Sequence, residues 1–155
     1  MDKILIINGS NVNLEFDNDA LNEELKVFAQ QQNIEIDFFQ SNLEGELIDM
    51  MQEGGSGKYK AIILNAGSYG VSSLGLKDVA FFNEMKRGVP TIYVTIENNL
   101  KNIDKRHNLV GEGCFANING FGPFSYHLAI VSITNMRTNT PVENKTEEQN
   151  STTEK

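Results

Sequence analysis

The sequence has few of the residue types that carry redox or metal chemistry. It contains one cysteine, Cys114, and two histidines, His107 and His127, among 155 residues. A single cysteine excludes an internal disulfide, and its spacing from other ligand-type residues matches no zinc motif. We therefore interpret Cys114, which precedes the apolar Phe115, as a packing residue, and we expect neither a metal nor a cofactor.

Positive charge and long apolar segments are also scarce. The chain has 13 Lys and Arg against 21 Asp and Glu, which gives a formal net charge of -8. Nucleic acids and anionic membranes both attract basic surfaces, so we expect neither as a partner. No segment approaches the roughly 20 apolar residues of a membrane-spanning helix, and the N-terminus lacks the pattern of a signal peptide. Together these features predict a cytoplasmic protein.

What the sequence does contain is a regular alternation of two patterns. Apolar, β-branched runs predict strands, and apolar residues at three- and four-residue steps predict helices between them. The five predicted strands cover residues 4–7, 34–39, 61–64, 91–96 and 114–118. This alternation predicts an α/β fold, a flavodoxin-like doubly wound five-stranded parallel sheet with helices on both faces.

The end of the chain differs from the rest in composition. A last helix is predicted over residues 125–136, with Leu128, Ile130 and Val131 in the core. Residues 137–155 are polar and contain no aromatic side chain. Segments of this composition cannot bury enough apolar surface to fold. We therefore expect one domain over residues 1–136, followed by a disordered polar tail over residues 137–155.

Two junctions between a strand and the next helix are rich in amides and hydroxyls. One covers residues 8–13, after the first strand, and the other covers residues 65–73, after the third. In open α/β sheets, ligands bind outside the carboxyl ends of the strands. Neither junction holds an acid or base suited to proton transfer at neutral pH. The pattern therefore predicts a small-molecule pocket with little visible catalytic chemistry.

Several short motifs together resemble one enzyme family. Residues 8–14 read Asn-Gly-Ser-Asn-Val-Asn-Leu, and residues 40–49 read Gln-Ser-Asn-Leu-Glu-Gly-Glu-Leu-Ile-Asp. Both segments resemble signatures of the type II 3-dehydroquinate dehydratases, and the resemblance covers roughly residues 3 to 132. It implies a flavodoxin-like fold, no cofactor, and assembly as a homo-oligomer, a trimer or possibly a dodecamer.

The resemblance also implies a set of residues that bind a small polar or anionic ligand. Asn11 matches an asparagine near the enolate oxygen of the substrate, and Asn65 matches one that holds the substrate carboxylate. The backbone of Ile96 and Glu97 matches the amides that meet this carboxylate. The resemblance implies a substrate-binding set of Asn11, Asn65, Asp78, Ile96, Glu97 and Arg106, with Asp78 as the acidic partner of Arg106. We add Ser72, because it precedes a helix whose N-terminus could hold an anion.

The catalytic residues of that family are missing from the matching positions. The family removes a proton with a lid tyrosine beside an arginine, but residues 15–20 contain neither. Thr95 stands in place of the histidine that protonates the leaving hydroxyl, and Tyr93 replaces its orienting carboxylate. A second histidine is replaced by Val71, and Glu97 adds a negative charge that would repel an anionic substrate. We therefore predict that the chain has no catalytic residues and that it is a non-catalytic binding or assembly protein.

Two alternatives remain open at the level of the sequence. The chain could be a repurposed enzyme acting on a small polar acid, with Tyr69 as base or His107 as acid. It could also be a genuine 3-dehydroquinate dehydratase whose missing groups come from a neighbouring subunit. The simpler interpretation makes Tyr69 a rim residue, His107 a surface residue and His127 a structural residue.

Other polar residues near the junctions have simpler explanations. Ser72 and Ser73 precede a helix and are suited to capping its free amides. Lys77 and Asp78 are expected to form an ion-pair network beneath the pocket. Residues 111–113 are interpreted as a turn before the fifth strand.

Overall fold

The protein, described here from a computed structural model, folds around one parallel sheet. The structure describes residues 1–14 and 16–136, so the predicted polar tail lies outside the described residues. The strands are β1 (Asp2–Ser10), β2 (Ile34–Gln40), β3 (Ala61–Gly67), β4 (Thr91–Thr95) and β5 (Ala116–Asn119). The helices are α1 (Asn18–Gln31), α2 (Glu44–Gly54), α3 (Leu74–Arg87), α4 (Leu109–Glu112) and α5 (Phe124–Asn135).

The strand order is β2-β1-β3-β4-β5, and every neighbouring pair is parallel. This is the flavodoxin-like order, in which the chain starts near the centre and builds outward in both directions. The predicted α/β class and five-stranded parallel sheet are therefore confirmed. The order places the carboxyl ends of β1, β3 and β4 side by side, where the two polar junctions begin.

Alternation along the strands divides the core into two layers. Ile4 and Ile6 face one side of the sheet, where α1 and α5 cover them. Leu5 and Ile7 face the other side and pack with α2, α3 and α4. Because both faces are covered, the central strands are apolar on both sides, as expected for a parallel sheet.

Two details differ from the sequence-based expectations. Residues 111 and 112 belong to the short helix α4 rather than to a simple turn, and the carboxamide of Asn108 caps this helix by accepting the Gly111 amide at 3.0 Å. Val131 is 38% exposed, so its assignment to the core was wrong, whereas Ile130 is fully buried. On α5 the buried face instead follows Tyr126, Ala129, Ile130 and Ile133, the spacing that a helix needs to cover a sheet.

Local signals explain where α3 begins and ends. The Ser73 hydroxyl accepts the Leu76 amide at 3.1 Å and so caps the helix, as predicted for this junction. Gly88 ends the helix with a φ of 69°, a left-handed conformation that glycine adopts without steric cost. None of the helices in residues 1–14 and 16–136 has the length and apolar character needed to cross a membrane.

Candidate functional site at the carboxyl edge of the sheet

A buried hydrogen-bond chain joins the carboxyl ends of β1 and β3. Asn8 and Asn65 are register partners, and both are at least nine-tenths buried. The Asn65 amide donates to the Tyr126 hydroxyl at 3.1 Å, and this hydroxyl donates to Asn8 Oδ1 at 2.5 Å. Buried amides are costly unless they are paired, so Tyr126, on α5, stabilises the edge on which any ligand must lie.

The close approach of β1 and β3 at this edge depends on glycine. Gly67 has a φ of 60°, and a Cβ atom there would collide with the carbonyl oxygen of Ser10. The Gly67 amide also donates to Asn65 Oδ1 at 3.2 Å. Both polar ends of the Asn65 side chain therefore have partners, and one amide hydrogen remains for a ligand.

A small cavity lies between the ends of β3 and β4. Its volume is about 30 Å³, far below the roughly 300–1,000 Å³ of typical small-molecule pockets. The residues that line it are Asn65, Gly67, Gly70, Val71, Tyr93, Thr95, Ile96, Glu97, Asn99 and Asn108. Three of the predicted binding residues, Asn65, Ile96 and Glu97, therefore line one cavity. Tyr93 and Thr95, which stand at catalytic positions of the family, line the same cavity.

Thr95 is committed to hydrogen bonds within the protein. Its hydroxyl lies 2.9 Å from the carbonyl oxygen of Glu97 and 2.7 Å from Oδ1 of Asn119. A hydroxyl has one hydrogen to donate, so these two acceptors already compete for it. The arrangement orients the β4 carboxyl end but supplies no proton donor that titrates near neutral pH.

Tyr93 lies on the floor of the same cavity and is 2% exposed. Burial raises the pKa of its hydroxyl strongly, with a smaller contribution from the nearby Cys114. Burial likewise raises the pKa of the Cys114 thiol to about 12, and this thiol donates to the carbonyl oxygen of Val110 at 3.3 Å. Neither group is ionised at neutral pH, which agrees with the prediction that Cys114 is a packing residue.

The remaining predicted binding residues do not line this cavity. Asn11 is exposed, with a φ of 61°, and its amide donates to Oδ1 of Asn42. Ser72 is exposed beside the cap, and Asp78 borders a groove between α2 and α3. Arg106 is exposed, and its guanidinium donates to the carbonyl oxygen of Leu100. Within the described chain, the predicted Arg106–Asp78 pair is not formed.

The expected ion pair beneath the pocket has a different composition. Lys77 contacts Glu112 on α4 at 3.3 Å rather than Asp78. The spacing along α3 explains the difference, because adjacent residues on a helix point about 100° apart and only Lys77 faces α4. No group of three or more potential metal ligands of the His, Cys, Asp or Glu type occurs in the part of the chain that the structure describes.

A larger cavity lies on the opposite side of Asn8, between β1, β2 and the start of α1. Its volume is about 550 Å³. The lining residues are Asn8, Asn13, Phe16, Asp17, Asn18, Asp19, Asn22, Phe38, Phe39 and Gln40. Sequence reasoning missed this cavity, since Phe38 and Phe39 were taken only as strand residues. The signal was the polar Asn8 and Gln40 at the carboxyl ends of two adjacent strands.

Comparisons with known proteins identify the family. The model described as "Dehydroquinase class II" matches residues 2–134. The chain is 39% identical over 142 residues to a 3-dehydroquinate dehydratase of Campylobacter jejuni, covering 84% of this chain and 86% of the relative. It is 36% identical over 143 residues to a 3-dehydroquinate dehydratase of Sulfurimonas denitrificans, with the same coverage of both chains. The chain belongs to the class II dehydroquinase family.

Solved dehydroquinase structures share the fold. A type II dehydroquinase from Butyrivibrio crossotus superimposes with a TM-score of 0.79 at 28% identity, covering 85% of this chain and 97% of that one. A 3-dehydroquinate dehydratase-like protein from Bifidobacterium longum superimposes with a TM-score of 0.69 at 22% identity, covering 86% and 96%. The resemblance drawn from residues 8–14 and 40–49 is thereby confirmed at the level of family and fold.

The two candidate replacement residues, Tyr69 and His107, lie outside the cavity at Thr95, and so does His127, which was predicted to be structural. The Tyr69 hydroxyl donates to the carbonyl oxygen of Asn42 at 2.7 Å and so ties two loops together. The His107 side chain is 72% exposed, and its Nδ1 lies 3.7 Å from Glu112. His127 is buried, stacks on Phe124 and lies 3.1 Å from Glu24. None of the three lines the cavity at Thr95.

Proposed function

We propose that this dehydroquinase-family protein has lost efficient dehydration of 3-dehydroquinate and works as a non-catalytic binding or assembly protein. One observation carries the proposal: the position that the resemblance assigns to the proton-donating histidine is Thr95, and its hydroxyl already lies between two protein acceptors. General acid catalysis needs a group that exchanges protons at the working pH, and an aliphatic hydroxyl does not.

The segment that replaces the family lid supports the same proposal. Phe16 packs edge-on against Tyr126, with ring centroids 6.2 Å apart, and Asp17 caps α1 by accepting the Ala20 amide at 3.1 Å. These residues anchor the start of α1 instead of presenting a base to a substrate. The loss of a general base lowers the reaction rate by roughly a hundred- to ten-thousand-fold, and so does the loss of a general acid.

The comparisons by themselves favour a second candidate, which is 3-dehydroquinate dehydratase activity. A relative that carries this name is 39% identical over 84% of the chain. Activity would require a proton donor and a base that the cavity at Thr95 does not supply, such as groups from a neighbouring copy. A repurposed enzyme using Tyr69 or His107 has less support, because neither side chain lines that cavity.

The proposal includes a homo-oligomer, a trimer or possibly a dodecamer, in the cytoplasm. Leu74, Asp78, Phe81 and Met85 follow one face of α3 at steps of four, three and four residues, and all four are exposed. Asp78 is therefore a carboxylate within an apolar stripe. Neither Asp78 nor Arg106 forms an ion pair within residues 1–14 and 16–136, so we propose that a neighbouring copy joins them.

The decisive experiment follows dehydration directly. Purified protein is mixed with 3-dehydroquinate, and the ultraviolet absorbance of the conjugated enone product is recorded, with the Campylobacter jejuni relative purified in parallel as the positive control. We expect a rate at least about ten-thousand-fold below that of the relative, because both proton-transfer groups are absent. Asn65→Ala serves as the matched variant, since a residual rate that it leaves unchanged comes from a contaminant. A rate within about a hundredfold of the relative, abolished by Asn65→Ala, would establish the second candidate instead.

A further inference from the structure

The cavity of about 550 Å³ at Asn8 has the size of a ligand pocket and lies apart from the cavity at Thr95. Its volume falls within the roughly 300–1,000 Å³ that small-molecule sites occupy. It opens at the carboxyl ends of β1 and β2, the edge of an α/β sheet where ligands bind. We propose that this cavity, named here the Asn8 cavity, binds a small organic ammonium compound that carries a hydroxyl group.

The charge of the Asn8 cavity selects a cation. Two of its lining residues, Asp17 and Asp19, carry carboxylates, and no lysine or arginine is among the described residues that line it. The Asp19 side chain has no hydrogen bond or ion pair to any residue in the described ranges 1–14 and 16–136. An anion placed here would be repelled, whereas an ammonium group would find an uncommitted carboxylate.

The apolar part of the wall is aromatic, which also favours an ammonium group. Phe16, Phe38 and Phe39 line the cavity, and the rings of Phe16 and Phe38 pack on the face of the sheet that α1 covers. The face of such a ring attracts cations through its quadrupole. Phe38 already holds one, since the ammonium group of Lys26, in the adjoining groove, lies 5.8 Å from the ring centroid.

A buried amide supplies the polar contact that fixes the ligand's orientation. Asn8 is 6% exposed and lines the cavity, and its Oδ1 accepts the Tyr126 hydroxyl. Its amide nitrogen has no hydrogen-bond partner in the part of the chain that the structure describes. This nitrogen is not fully buried, so it is open to a ligand in the cavity. A hydroxyl oxygen on the ligand would accept this hydrogen bond.

Three compounds with the same phenyl ring and hydroxyl group test the proposal. The first is 2-amino-1-phenylethanol, which is an ammonium ion at pH 7. The second is the neutral 1-phenyl-1,2-ethanediol, and the third is the anionic mandelate. Binding to the full chain is measured by calorimetry and by amide chemical shifts at low ionic strength. We expect the ammonium compound to bind about tenfold more tightly than the diol, with mandelate weakest.

Two matched variants locate the binding. Asp19→Asn removes one carboxylate charge with little change of shape. We expect it to weaken binding of the ammonium compound about fivefold and to leave binding of the diol unchanged. Glu35→Gln removes an exposed carboxylate on β2 outside the cavity, and we expect no effect. Equal losses in both variants would indicate non-specific attraction to an acidic surface.

Each other outcome also decides the question. Mandelate or the diol binding as tightly as the ammonium compound would overturn the assignment of charge. No saturable binding by the ammonium compound, or binding that Asp19→Asn leaves unchanged, would overturn the site itself. Among the described residues, none lines both the Asn8 cavity and the cavity at Thr95, so these outcomes do not depend on whether dehydration occurs.

Discussion

At the scale of single residues, Tyr126 links the Asn8 cavity to the cavity at Thr95. Its hydroxyl accepts from Asn65 and donates to Asn8, and both amides are buried at the sheet edge. A donor and an acceptor are therefore satisfied by one atom. Losing that atom leaves two buried polar groups to be desolvated without compensation.

Tyr126→Phe is expected to destabilise the fold by about 1–3 kcal/mol, because it leaves the Asn8 and Asn65 amides without this partner. Urea unfolding followed by circular dichroism measures the change. Tyr69→Phe is the matched control, since it removes a single hydrogen bond at a less buried position and is expected to cost about 1 kcal/mol or less. A Tyr126→Phe variant no less stable than Tyr69→Phe would contradict the importance of this link.

At the scale of elements, the start of α3 depends on one of two adjacent serines. Ser73 is buried, caps the Leu76 amide and donates to a carboxylate oxygen of Glu44 at 2.7 Å. Ser72 is exposed, and its side chain forms no hydrogen bond to the described residues. The capping role predicted for this pair therefore belongs to Ser73.

Ser73→Ala is expected to lower the free energy of unfolding by about 1–2 kcal/mol, through loss of the cap and of the contact between α3 and α2. Ser72→Ala, one residue away with the same change in chemistry, is expected to change stability by less than about 0.5 kcal/mol. Thermal unfolding of both variants at one protein concentration tests the difference. Equal effects would mean that the hydroxyl of Ser73 contributes little as a cap.

At the scale of the whole molecule, the exposed apolar stripe on α3 predicts self-association. Phe81→Ser is expected to shift the mass measured by light scattering toward the monomer, because it places a polar group in the proposed contact. Val27→Ser on α1 is the control, an exposed apolar residue outside the stripe, and is expected to leave the mass unchanged. A wild-type protein that is monomeric at high concentration would contradict the oligomer proposal.

The fold was predictable because its signals are local and repeated. The alternation of apolar runs with helical spacing holds from β1 to β4, and this alternation is typical of a parallel sheet with helices on both faces. The helix α4 was missed because four residues are too few to establish a helical period. Val131 was misplaced because α5 is apolar on most of its surface, so spacing alone did not identify the buried side.

The candidate site was predictable only in part. Asn65, Ile96 and Glu97 do meet at one cavity, since they follow the ends of adjacent strands. The position of Arg106 depends on loop geometry, which local patterns do not encode. The Asn8 cavity was missed because it arises from the packing of α1 against the sheet edge, which short motifs do not reveal.

The order of donors and acceptors through Tyr126 gives the linked amides a direction. As long as Asn8 Oδ1 accepts the hydrogen of the Tyr126 hydroxyl, the oxygen of that hydroxyl is available to accept a hydrogen from Asn65. A guest molecule that swung the Asn8 amide around would offer the phenol a hydrogen instead. The phenol hydrogen would then lose its acceptor and compete with the hydrogen that Asn65 donates. Binding of a ligand beside β2 would then change the hydrogen bonding of Asn65 beside β4 without any movement of the backbone.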